Sequence, residues 1–148
     1  MAAIIGNNEL ISSRVFDFPR ERVFETWTNP DQLERWWGPN GFSNTFHEFD
    51  LRPGGTWRLT MHGPDGNDYP NHNVFEEIVP LERIVLRHLS GHEFQITATF
   101  EELDNRTRVT FRQLFMDPAD FEQSKKMCAE ANEQNLDRIN ALLAGSPQ

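Results

Sequence analysis

The chain has 148 residues, a formal net charge of −9 at pH 7 and one cysteine, Cys128. That length is most simply one domain, able to bury about 70% of the surface its unfolded chain exposes, and the acidity argues against nucleic acid and anionic membrane surfaces as partners. The lone cysteine excludes an intrachain disulfide framework and fits a reducing, cytoplasmic setting; no apolar run reaches membrane-spanning length, and residues 1–6 are too short and uncharged for a signal peptide.

Residues 9–18 alternate and are rich in β-branched and aromatic side chains, which predicts a strand. Pro19 suits a first helical position, and Val23, Phe24 and Trp27 then recur with helical spacing. Asn29-Pro30 is a second cap-plus-proline start, running through Leu33 to Trp36 and Trp37 before Gly38-Pro39-Asn40-Gly41 ends the helix. Adjacent helical residues point about 100° apart. One of the two tryptophans is therefore expected in the core and the other over an edge or lining a cavity.

The pattern then changes to period two. Strands are predicted over 42–51, 56–62, 69–79, 83–89, 93–102 and 106–115. Arg52-Pro53-Gly54-Gly55, Ser90-Gly91 and Asp104-Asn105 supply turns, Pro80 breaks a strand, and Gly63-Pro64-Asp65-Gly66-Asn67-Asp68 makes a hairpin tip. Trp57, Leu59 and Met61 share one face, as do Phe94, Ile96, Ala98 and Phe100, and Val109, Phe111, Gln113 and Phe115. Short hairpin-like connections imply an antiparallel sheet. Asp117 then caps the longest helix, with Pro118 in its first turn, which runs to about Leu143 and is ended by Gly145 and Pro147. Its apolar stripe of Phe121, Cys128, Leu136, Ile139 and Leu143 is interrupted by Asn132 and Asn135. One long helix against a curved antiparallel sheet is an α+β arrangement, here a single domain with its core over about residues 9–143. Twelve phenylalanines and four tryptophans against one tyrosine suit the lining of an apolar interior.

Several residues in this pattern carry possible chemistry. None of His47, His62, His72, His88 and His92 forms a close metal-ligand pair, so a local zinc motif is absent; a site assembled from separate strands stays open, and no metal or cofactor is expected. His88, in phase with Ile84 and Leu86, faces the apolar side, as either a satisfied rim histidine or a donor to a ligand. Glu76 falls in phase with His72, Val74 and Ile78; raised by burial it would be an acid or base, and at an edge it would be solvated. Gln113 is a neutral amide among phenylalanines and needs a partner, protein or ligand. Cys128 reads as a buried thiol rather than a nucleophile. Gly54-Gly55 precedes a strand and marks a turn or bulge, not a phosphate loop.

The element order, together with Phe18-Pro19-Arg20-Glu21-Arg22-Val23-Phe24, Trp27-Thr28-Asn29-Pro30, Trp36-Trp37-Gly38-Pro39, Pro53-Gly54-Gly55 and Leu136-Asp137-Arg138-Ile139, resembles the START-like (SRPBCC) superfamily. Within it the chain is similar to the branch named for homology to the activator of the heat-shock-protein-90 ATPase. The resemblance implies a helix-grip fold, in which a seven-stranded antiparallel sheet wraps a long C-terminal helix, with two short helices after the first strand and a cavity between sheet and helix. It further implies that a small hydrophobic molecule, lipid-like, polyketide-like or aromatic, occupies the cavity. Asn132 stands where many relatives carry a tryptophan, which would make this part of the cavity larger and more polar. Trp37, Trp57, Phe111 and Phe115 would then form apolar wall, with Glu76, His88, Gln113, Cys128 and Asn132 as polar contacts. Two alternatives stay open: acid/base catalysis of cyclase or hydrolase type on a bound carbonyl compound, with Glu76 or His88 titrating, and a chaperone-associated stress role acting through the surface. An open sheet edge also leaves room for a homodimer.

Overall fold

The computed structural model describes residues 4–145. Residues 1–3 of the stretch weighed as a signal peptide, and Pro147, lie outside the described residues. The elements are β1 (Ile4–Ile5), β2 (Glu9–Phe16), α1 (Arg20–Thr28), α2 (Pro30–Trp36), β3 (Ser43–Phe49), β4 (Thr56–His62), β5 (Asp68–Val79), β6 (Arg83–His88), β7 (Phe94–Leu103), β8 (Arg106–Phe115) and α3 (Pro118–Leu143). The strands form one antiparallel sheet in the order β1-β2-β8-β7-β6-β5-β4-β3. This is the α+β helix-grip arrangement, with α3 held by the curved sheet. The sheet has eight strands instead of seven, because the two-residue β1 folds back on β2 through Gly6–Asn8, pairing Ile4 with Ile11. Asn8 takes φ 60° there, a left-handed conformation that Asn tolerates well.

Local chemistry fixes the helix starts. The Asn29 side chain accepts a hydrogen bond from the Asp31 amide with Pro30 next to it, and Asp117 does the same for the Ala119 amide ahead of α3. Pro19 precedes α1 as its N-cap instead of opening it. The helix α2 ends at Trp36, and Trp37 already has extended angles, φ −66° and ψ 129°. The 100° rule therefore stops applying between the two tryptophans, and both enter the core, at 0% and 8% exposure. The Trp36 indole donates to the Thr26 carbonyl at 2.8 Å, so its polar edge is satisfied inside.

The segment from Trp37 to Phe42 is fastened to α3 by Arg138. Its guanidinium donates to the carbonyls of Arg35 (2.7 Å), Gly38 (2.9 Å), Phe42 (3.1 Å) and Pro39 (3.2 Å). Gly38 is required at φ +99°, where a Cβ would also meet the Met61 methyl at 2.8 Å. The interior divides into two apolar clusters. The larger holds Trp27, Trp36, Trp57, Phe75, Phe111 and Leu136 among its members; the smaller is built on Leu10, Phe115 and Phe121.

Candidate functional site

A seam of uncharged polar side chains runs between those two clusters. On β8 the inward residues Val109, Phe111, Gln113 and Phe115 are all buried, and Gln113 lies between Phe111 of the larger cluster and Phe115 of the smaller. On α3, Ser124, Cys128, Asn132 and Asn135 follow each other at spacings of four, four and three, which puts them on one face. The faces meet: Asn132 Nδ2 donates to Gln113 Oε1 at 3.0 Å, and the Gln113 side chain also bonds Cys128. Burial pushes the Cys128 thiol up from its ordinary pKa, with the Gln113 bond opposing it, so the sulfur is held as a thiol. On β2, Ser12 lies in the same layer, one inward step from Leu10, the register partner of Gln113.

Further across the same inner face, a second polar group lies in the cross-strand row of Phe115. Trp57 pairs in register with Asn73, Asn73 with His88, His88 with Phe94, and Phe94 with Phe115. Asn73 Nδ2 reaches the Trp57 carbonyl at 3.4 Å. Within the seam, Ser12 Oγ, Asn73 Oδ1, Asn135 Oδ1 and Trp57 Nε1 are buried without a hydrogen-bond partner. Such an atom costs about 1–3 kcal/mol and calls for an explanation in function or structure. Ser12 lies in the cross-strand row of Phe111 and Asn73 and Trp57 in that of Phe115, on either side of the row of Gln113, and with the Gln113–Asn132 pair they mark the inner face of the sheet beneath α3 as the candidate site.

The sequence candidates sort clearly against this geometry. Gln113, Asn132 and Cys128 are brought into one bonded cluster with Phe111 and Phe115 on its flanks. Trp37 packs on Trp57 with ring centroids 4.8 Å apart, and both belong to the larger cluster. His88 does point inward, stacked on Phe94 at 4.4 Å. In the neutral ring its Nδ1 donates to the His92 carbonyl at 2.8 Å and its Nε2 accepts from the Ser90 hydroxyl at 3.3 Å, with Asn71 Oδ1 2.7 Å from the same nitrogen. It is a satisfied histidine, whose burial lowers its pKa and favours the neutral ring.

Glu76 is on the opposite face from the one expected. The register of β5 against β6 slips between Phe75 and Glu77, so Phe75 and Ile78 both face inward and Glu76 is the extra residue, turned outward. A β-bulge of this kind reverses the alternation that the sequence pattern assumes. There Glu76 accepts from Gln95 (2.9 Å) and Arg87 (3.1 Å), bonds that hold its carboxyl below the usual range. It is neither buried nor poised as a proton donor. The same slip hid Asn73, which shares the inward phase with Phe75. Ser12 was hidden among the alternating residues of β2, although a serine in the phase of Leu10 and Phe16 was the available signal.

The outer face carries other polar groupings. His62 Nδ1 meets Asp68 Oδ1 and its Nε2 meets Thr45 Oγ1, each at 2.7 Å, an order of groups resembling a base relay. Thr45 and Asp68 are exposed, so bulk water competes for both ends, and the bonds mainly tie strands β3, β4 and β5. A hollow of about 450 Å³ opens nearby between His47, Arg58, Thr60, Pro70, His72 and Ser90, and one of about 210 Å³ lies between Pro39 and α3 at Met127 and Ala131. Both open at the surface, whereas the cavity expected between sheet and helix is the place where Trp37, Trp57 and Phe75 pack together. Among the described residues, no three metal-ligating side chains converge and no helix is long and apolar enough to cross a membrane.

Comparison with known proteins bears on the same architecture. A protein of Arthrobacter aurescens solved in solution superposes with a TM-score of 0.91 at 25% identity, covering 99% of this chain and 93% of its own. A Chromobacterium violaceum protein gives 0.81 at 26% identity, with 91% and 96% covered, and a Mycobacterium smegmatis protein gives 0.86 at 24% identity, with 100% and 99% covered. A comparison with curated proteins gives no match. The family profile described as "Activator of Hsp90 ATPase homolog 1-like protein" matches residues 17–144. With nearly every element of the domain inside that match, the chain belongs to this family, a START-like branch whose fold is known for holding hydrophobic ligands.

Proposed function

We propose that this protein is a binding module for a small, largely hydrophobic molecule held between the sheet and α3, at the seam of Gln113, Asn132 and Cys128. The observation that supports it is the bonded Gln113–Asn132 pair between the two apolar clusters, with buried, unpartnered polar atoms on Ser12, Asn73, Asn135 and Trp57 in the same interior. A few polar groups on apolar walls are the usual form of a small-molecule site. Trp37, Trp57, Phe111 and Phe115 supply the wall, and His88 borders it. Access requires side chains to part, which suits a ligand that replaces their packing with its own. The acid/base alternative has no comparable support: Glu76 is outside, and both ring nitrogens of His88 are engaged by the protein.

The test is a thermal-shift screen of neutral, anionic and aromatic small molecules. A ligand at a hundred times its Kd stabilises by about 2.7 kcal/mol, readily seen as a raised melting temperature. A reproducible hit that Asn132→Trp abolishes, by filling the seam, supports the reading. A hit indifferent to that substitution, or a flat screen, overturns it and turns attention to a surface-acting role such as a chaperone contact.

A further inference from the structure

The chemistry of the seam is one-sided in a way that selects among ligands. Its polar side chains are two kinds of hydroxyl-sized and amide groups, Ser12, Ser124, Asn73, Gln113, Asn132 and Asn135, with the Trp57 indole and the Cys128 thiol. None carries a charge. The nearby cations are already committed. Arg138 spends its guanidinium on backbone carbonyls of residues 35–42, and Arg14 pairs with Glu133 (3.2 Å) and Asp137 (2.8 Å). Lys125 pairs with Glu122 at 2.7 Å. Arg20 has a buried, unpartnered Nε, but it stands beside Phe18, whose carbonyl accepts from Thr107. Thr107 is six residues along β8 from Gln113, a distance of about 20 Å in an extended strand.

The unpartnered atoms are of both kinds. Asn73 Oδ1 and Asn135 Oδ1 are acceptors, the indole nitrogens of Trp57 and of Trp27, which packs on Phe111, are donors, and Ser12 can serve either way. A carboxylate brings a negative charge and acceptors alone to a mixed set of donors and acceptors whose neighbouring cations are already paired. Burying a charge without a partner is far more costly than burying a hydrogen-bonded neutral group. A primary amide, by contrast, offers both donors and an acceptor without a charge, and an alcohol or phenol offers one of each.

We propose that the seam selects uncharged ligands whose polar end donates hydrogen bonds as well as accepting them, carboxamides, alcohols or phenols, and discriminates against the carboxylate of the same hydrocarbon body. This rests on the binding function proposed above and narrows it to a ligand class. It sets aside fatty-acid and aromatic-acid anions, which an apolar cavity alone would admit.

The experiment uses matched probes on the full chain at pH 7: phenylacetyl, naphthoyl and decanoyl bodies, each as carboxamide, carboxylate and corresponding amine. Affinity is read by calorimetry, and place of binding by the side-chain amide NMR signals of Asn73, Gln113, Asn132 and Asn135. The expected result is a carboxamide at least tenfold tighter than its carboxylate in the body that fits, with the amide signals of the seam shifted. Asn135→Leu should reduce that ratio severalfold while leaving the fold intact, and the wild-type signals keep the test independent of that variant. A carboxylate or amine binding as tightly as the carboxamide, with the same signals shifted, overturns the selectivity and leaves the binding function standing. Failure of every probe to shift any seam signal overturns both.

Discussion

The larger apolar cluster and the polar seam beside it are equally buried, yet they are built on opposite terms. In the cluster, Trp27, Trp36, Trp37, Trp57 and Phe75 touch one another edge-to-face or stacked, with centroids 4.6–6.3 Å apart. The Trp36 indole is satisfied within the fold, while the buried indole nitrogens of Trp27 and Trp57 are left open where the cluster borders the seam. In the seam, Gln113 and Asn132 bond each other while Ser12 Oγ, Asn73 Oδ1 and Asn135 Oδ1 are left open. The cluster is what a protein does to be stable; the seam gives up stability that an all-apolar helix face would have retained. The two regions should therefore respond in opposite ways to the same kind of substitution.

The largest effect is expected in the cluster. Trp36→Ala removes a fully buried side chain and strands the Thr26 carbonyl, which should cost about 3–5 kcal/mol in urea unfolding. A loss under about 1 kcal/mol would mean that the cluster is loosely packed and that the contrast with the seam is false. Arg138→Met comes next. It unties the segment between α2 and β3 from α3 by removing charged hydrogen bonds, worth about 1.5–3 kcal/mol. Amide exchange at Gly41 and Phe42 should accelerate together with that loss; unchanged exchange would show that the segment is held by packing alone.

Within the seam the sign depends on whether a partner is left behind. Gln113→Leu strands the Asn132 amide and the Cys128 thiol, and should cost about 1–3 kcal/mol. The double variant Gln113→Leu/Asn132→Leu removes both sides of the bond, so it should be more stable than the sum of the two singles by about 0.5–3 kcal/mol. Strict additivity would mean that the bond contributes nothing. Asn135→Leu removes an atom that has no partner, and should leave stability unchanged or slightly raised. A clear loss there would show that Asn135 already has a structural role, and would weaken the case for a site.

Much of this was legible in the chain, for physical reasons that also explain what was not. Strands 56–62 and 106–115 and the helix from Pro118 to Leu143 were readable to the residue, because period-two and helical patterns ran unbroken between strong caps and turns. Gln113 and Asn132 stood out as polar residues in apolar phase, and the fold brings them within 3.0 Å. Glu76 was misplaced and Asn73 overlooked by one cause. A bulge adds a residue without adding a signal, so alternation counted backwards from Ile78 arrives on the wrong face. The burial of both Trp36 and Trp37 was hidden for a similar reason, since the helix ends between them and its periodicity no longer governs the second. β1 is too short to show any period at all.

The smallest predicted effect separates the border of the seam from its centre. His88 sits where the neutral amides give way to a titratable ring, and burial lowers its pKa in the fold from about 6.5, its value in an unfolded chain. Above 6.5 both states hold a neutral ring and His88 contributes no pH dependence. As the pH falls through 6.5 the unfolded chain takes up a proton that the folded ring resists, so the unfolded state binds more protons and stability declines until the folded pKa is passed. The melting temperature should therefore fall between pH 7.5 and 5, and His88→Gln should flatten that part of the profile without altering the plateau slope above 7. The charged groups facing the region are few: His72 and His92 oppose protonation of His88, and the His92 side chain itself pairs with Asp120 at 2.8 Å. A profile that His88→Gln leaves unchanged would show that the border of the seam responds to pH no more than its uncharged centre does.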